Sequence, residues 1–80
     1  MSREEIVAGI ADVARRHVGY TGTLLPQARL VEDLELDSIR LVVLAAEVEN
    51  RFRVVLTPED DARIRTVGDL ADTIAEKLRS

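Results

Sequence analysis

Residues Ser38 to about Phe52 constrain this chain more than any other stretch. At about 100° per residue, Leu41, Leu44, Val48 and Phe52 form one helical stripe. Ile39, Val42, Val43, Ala45 and Ala46 add apolar surface around it, leaving a narrow polar strip of Arg40, Glu47 and Arg51. Glu47 and Arg51 stand at i,i+4, the spacing of an ion pair on a helix. A helix this apolar is either central in a core or buried on one side and adhesive on the other. Eighty residues make one small domain, too little to surround it. Leu41, Leu44, Val48 and Phe52 are therefore expected to face the core, with Ile39, Val43 and Ala46 partly open to a partner.

The remaining elements are set by local signals. Ser2 and Glu5 form an S-x-x-E capping box, so a first helix is expected from about Arg3 to Val18, stopped by Gly19. Ile6, Ile10, Val13 and His17 fall at helical spacing on it, widened by Val7, Ala11, Ala14 and Val18. His17 reads as a helix-end cation. Tyr20 to Asp37 contains turn formers but also Leu24, Leu25, Leu30, Val31, Leu34 and Leu36, which requires a long loop lying on the core. Thr57-Pro58-Glu59-Asp60 starts a short helix ending by Arg63. Thr66 caps a last helix from about Val67 to Leu78 or Arg79, with Leu70, Ile74 and Leu78 as its core line. Val54-Val55-Leu56 is too short before a helix start to read as a strand. The expectation is an all-α four-helix bundle, residues 1–80 as one domain, with three longer helices, one short one, and a long loop between the first and second.

Composition narrows the chemistry. With no cysteine and one histidine, the chain offers no disulfide framework, thiolate zinc site or histidine metal cluster. Net charge is −4. Around Arg29, residues 19–37 carry Glu32, Asp33, Glu35 and Asp37 for a net of −3, whereas residues 38–53 are net +1. No basic stripe with interleaved aromatics suggests nucleic acid. No run reaches the roughly 18 apolar residues of a membrane span, and the first residues lack a signal-peptide pattern. A cytoplasmic monomer is expected.

Asp37-Ser38 is a helix start in which a side-chain oxygen accepts from an orphan N–H. An anion on the Ser38 hydroxyl would meet free N–H groups and the positive end of the helix dipole. Asp37-Ser38-Ile39, an aromatic fourteen residues after the serine (Phe52), and Thr66-Val67-Gly68-Asp69-Leu70 together resemble the acyl carrier protein family over nearly the whole chain. The resemblance implies that Ser38 bears a 4'-phosphopantetheine arm whose thiol carries an acyl group, and that Asp37 is the motif acid. It implies a phosphopantetheinyl transferase and acyl-loading and acyl-modifying enzymes as partners, meeting Ile39, Arg40, Val43, Ala46 and Glu47. Leu41, Leu44, Val48, Phe52 and Leu70 would line the core or an acyl chain. The chain would be a substrate of enzymes, not an enzyme. It departs from the family where Glu35-Leu36 replaces a glycine-containing pair, Ile39 a leucine, and Arg40 and Val43 residues that are acidic in fatty-acid carriers. A freestanding carrier of a fatty-acid-like, polyketide or other specialised pathway is the expectation. The alternatives are an aminoacyl or aryl carrier of the nonribosomal-peptide type, and an unmodified helical interaction module.

Overall fold

The computed structural model of the chain describes residues 1–79. Helix α1 spans Arg3–Val13 and runs on into a π-helical turn, Ala14–Val18. Helices α2 (Ser38–Phe52), α3 (Pro58–Arg63) and α4 (Val67–Arg79) follow. The all-α bundle with its long first connection is thus present, and all four helix starts lie where their caps place them. Ser2 and Glu5 close a reciprocal capping box, as do Thr57 and Asp60.

The first helix differs from expectation in its last turn. A continuous α-helix to Val18 would carry His17 on the apolar stripe, yet His17 is exposed and Val18 is buried. The wider π turn is the reason: it brings residues five apart into line, so Val18 follows Val13 into the core. Gly19 ends it at φ +72°, and the N–H groups of Gly19 and Tyr20 both donate to the Ala14 carbonyl. Released from the core, His17 Nε2 lies 3.5 Å from Glu47 on α2. The pairing of Glu47 with Arg51 does not form either. Arg51 instead reaches Asp12 on α1 at 2.8 Å, because helices packed side by side put carboxylates of one within reach of guanidiniums of the other. Asp12 also holds Arg15 and Arg16, and the hydrogen bond from Arg51 leads the causes that keep its carboxyl below the usual range.

The core joins Ile6, Ile10 and Val13 of α1 to Leu44, Val48 and Phe52 of α2 and to Val67, Leu70, Ala71 and Ile74 of α4. Leu41 packs against it half-buried. Leu78, expected on the core line, is 40% exposed. The buried line of α4 closes with Ile74, and Leu78 lies outside it beside exposed Arg79. The tip of the Phe52 ring points at Gly9 on α1, where a Cβ would fall 2.5 Å from its Cζ.

Of the apolar loop residues, Leu30, Leu34 and Leu36 are inserted in the core, whereas Leu25 and Val31 are about half exposed. The loop is sewn to the start of α4 through its backbone. Val67 N–H donates to Ala28 O at 2.9 Å, Gly68 N–H to Pro26 O at 2.7 Å, and Leu30 N–H to Arg65 O at 3.0 Å. The loop carbonyls thereby satisfy N–H groups that a helix start otherwise leaves orphaned. Thr66 and Asp69 cap each other beside them. Gly68 is required by this approach: a Cβ there would stand 2.9 Å from the Pro26 carbonyl oxygen. Gly68→Ala is expected to cost about 1–2 kcal/mol, overpacking outweighing the helix-propensity gain of roughly 1 kcal/mol. Denaturant titration measures the loss, and faster amide exchange at Leu30 and Val67 locates it.

Asp60 ties α3 to α4. Its carboxylate is buried, accepts from Thr57 N–H at 2.9 Å, and pairs with Lys77 at 2.7 Å and Arg63 at 3.1 Å. The Lys77 ammonium first, then the Thr57 amide, hold its pKa far below the ordinary carboxylate value. Because the folded pKa is the lower one, the stabilisation is complete above about pH 4 and fades as pH falls further. Asp60→Asn is expected to lower the melting temperature at pH 7, with the gap to wild type narrowing steadily towards pH 2. A gap independent of pH in paired melts contradicts this.

Candidate functional site

Asp37 holds the start of α2. Its backbone is extended (φ −82°, ψ 178°), its Oδ1 accepts from Arg40 N–H at 2.8 Å, and its carbonyl takes the first helical bond from Leu41 N–H at 2.9 Å. The cap is therefore Asp37 alone, and Ser38, the first helical residue, keeps its side chain out of that work. Ser38 is exposed, and no described residue hydrogen-bonds its hydroxyl. The N–H groups of Ser38 and Ile39 also lack partners among the described residues. An oxygen on this first turn thus sits in the positive field of the helix start.

The approach to the site is anchored just upstream. Leu34 and Leu36 are buried on either side of exposed Glu35, which adopts a left-handed backbone at φ 55°. This bend is the conformation that a glycine takes freely and an L-residue adopts at roughly 1 kcal/mol. It turns both leucines inward and leaves Asp37 and Ser38 outside. The departure from a glycine-containing pair therefore keeps the turn and adds modest strain. The acidic loop is less open than its charge suggests. Arg29 pairs with Glu32 at 3.4 Å and Asp33 at 3.3 Å, while Asp33 also accepts from Arg29 N–H at 2.7 Å. That backbone hydrogen bond is the leading cause of the lowered pKa of Asp33.

Ile39, Arg40 and Ala46 are exposed, whereas Val43 and Glu47 are half-buried, Val43 against the core and Glu47 towards His17. Val42 is 69% exposed and was not singled out by periodicity, because a one-residue difference in helix rotation decides between it and Val43. An open apolar cleft of about 370 Å³ lies between α2 and the α3–α4 side. Leu41, Leu44 and Leu70 line it; Val48 and Phe52 belong to the core away from it. Leu30, Leu56 and Ile64 add to the lining. They come from irregular segments, where no period could mark them.

The chemistry available is that of a presented hydroxyl without a base of its own. His17 is the sole histidine and is held at Glu47, nine positions along α2 from Ser38, about 13 Å of helix.

Comparison with known proteins agrees with this geometry. A family model described as "Phosphopantetheine attachment site" matches residues 5–74. The meromycolate extension acyl carrier protein of Mycobacterium leprae is 37% identical over 79 residues, covering 98% of this chain and 68% of that protein. Its counterpart in Mycobacterium bovis is 37% identical over 71 residues, covering 88% of this chain and 62% of that protein. The acyl carrier protein of Myxococcus xanthus is 32% identical over 74 residues, covering 91% of this chain and 94% of that protein.

Proposed function

Because this chain belongs to the acyl carrier protein family, whose members carry covalently attached phosphopantetheine, we propose that Ser38 is the residue that bears the arm. The observation that carries the assignment is the division of labour at the start of α2. Asp37 caps the helix, so the neighbouring Ser38 hydroxyl is exposed and uncommitted. A phosphodiester there meets the positive end of α2, a fit that needs no rearrangement of the chain.

When bound, 4'-phosphopantetheine supplies a thiol on a long flexible arm that holds an acyl group as a thioester. The chain's residues supply the rest. Asp37 fixes the first turn, Leu34 and Leu36 hold the loop to the core, and the cleft beside Leu41 adjoins the same helix. Tethering raises the effective concentration of cargo at each enzyme visited. The chain acts as a substrate and carrier rather than a catalyst. Residues 1–80 work as one carrier unit, a cytoplasmic monomer that meets a phosphopantetheinyl transferase and then acyl-loading and acyl-modifying enzymes. The names of the mycobacterial relatives favour acyl-chain extension as the pathway type. Among the described residues no helix is long and apolar enough to cross a membrane.

Incubation with coenzyme A, Mg²⁺ and a phosphopantetheinyl transferase should add the mass of one arm, mapped by peptide digestion to Ser38. Addition at another residue, or none with several transferases, overturns the assignment.

A further inference from the structure

The apolar cleft beside α2 carries charge of one sign. Glu49 and Asp61 line it, and among the described residues no lysine, arginine or histidine does. The α2 residues of its wall run from Leu41 to Glu49, about 12 Å of helix, and Ser38 lies less than one turn before Leu41. A chain entering from the Ser38 end therefore brings its far tip towards Glu49. Glu49 is half-buried, and its Oε2 accepts from Leu56 N–H at 2.7 Å, which ties the charge to the wall. Its Oε1 takes no hydrogen bond from the described residues. Asp61 is exposed, and the cations on its side, Arg63 and Lys77, pair with Asp60 instead.

We infer that Glu49 and Asp61 select cargo by the chemistry of its far end: the cleft admits an apolar chain ending in a neutral or hydrogen-bond-donating group and turns away one ending in a carboxylate. This rests on the reading that Ser38 carries the arm, since the arm is what would bring cargo to the cleft. A carboxylate and an ammonium both lose hydration on entering, so desolvation disfavours the two alike. The sign of the wall separates them. A carboxylate would lie against Glu49 and Asp61 with no cation lining the cleft, whereas a donor would meet Glu49 Oε1. An acyl group with a free carboxylate therefore stays in solvent, open to the next enzyme, while a neutral or donor-ended chain is sheltered.

Octylamine, octanol and octanoate share one chain length and differ at the tip. Each is titrated at low salt into the full isotope-labelled chain. Octylamine should shift the amides of Leu44, Leu56 and Ile64 and bind about fivefold more tightly than octanoate, the effect of one nearby unit charge even at the dielectric of water. Octanol should also outbind octanoate. Glu49→Gln/Asp61→Asn keeps an acceptor for Leu56 N–H and should erase the difference between octylamine and octanoate, leaving octanol unchanged and the helical circular dichroism spectrum intact. Glu4→Gln/Glu32→Gln alters net charge equally but away from the cleft, and should preserve the difference. Equal binding of octylamine and octanoate to wild type, a difference that survives the cleft variant or vanishes in the distant one, or shifts on another face overturns the inference. Arm attachment is scored separately by mass after transferase treatment. Wild-type chain that takes no arm sinks the attachment reading, whereas the free ligands alone decide the polarity of the cleft.

Discussion

Ser38→Ala is expected to abolish arm attachment completely while leaving stability within about 0.5 kcal/mol of wild type. The two halves of that expectation come from different facts. Attachment needs an oxygen that alanine lacks. Stability should not change because the Ser38 side chain is exposed, accepts no capping bond, and is replaced by the best helix former. Asp37→Ala should behave in the opposite way. It removes the acceptor of Arg40 N–H and costs about 0.5–2 kcal/mol, yet keeps the attachment oxygen. Its arm transfer should therefore be slowed rather than lost. Mass spectrometry of loading time courses and denaturant melts of both variants check the pair. A Ser38→Ala protein that melts well below wild type would make Ser38 a structural residue.

Phe52→Ala should be the most destabilising single change in the bundle, at about 3–5 kcal/mol. Phe52 is buried at the end of α2, and its ring fills the groove that Gly9 leaves on α1. Alanine would leave a cavity that the helix backbones on both sides keep open. Small domains have total stabilities at the low end of about 5–15 kcal/mol, so much of the population is expected to unfold near body temperature. A loss of less than about 1 kcal/mol in urea titration would show that the helices collapse into the space.

Helix starts were legible because caps are local. Ser2 with Glu5, Asp37, Thr57 with Asp60 and Thr66 with Asp69 all act within four residues, and each forms as the sequence suggests. Contacts between elements were not legible. The π turn that exposes His17, the bond from Arg51 to Asp12 in place of Glu47, and the exposure of Val42 all depend on how helices rotate against one another. Asp60 reads as a first-turn acid, yet it is buried against Lys77 of a different helix. The exposed hydroxyl of Ser38 belongs to the legible part, since a neighbouring aspartate already serves as cap. The cleft belongs to the other part, because a third of its apolar wall comes from segments without periodicity.

The backbone stitching of the first loop to the start of α4 has a consequence for the order of events during synthesis. Residues 26–30 find their hydrogen-bond partners at residues 65–68, and residues 34–38 hang from that anchored stretch. On the ribosome, residues 26–30 lack these backbone partners until the start of α4 has emerged, about 30 residues after Ser38. An enzyme that reads the folded shape around Ser38 is therefore expected to act after translation has passed the last helix start rather than on the nascent chain.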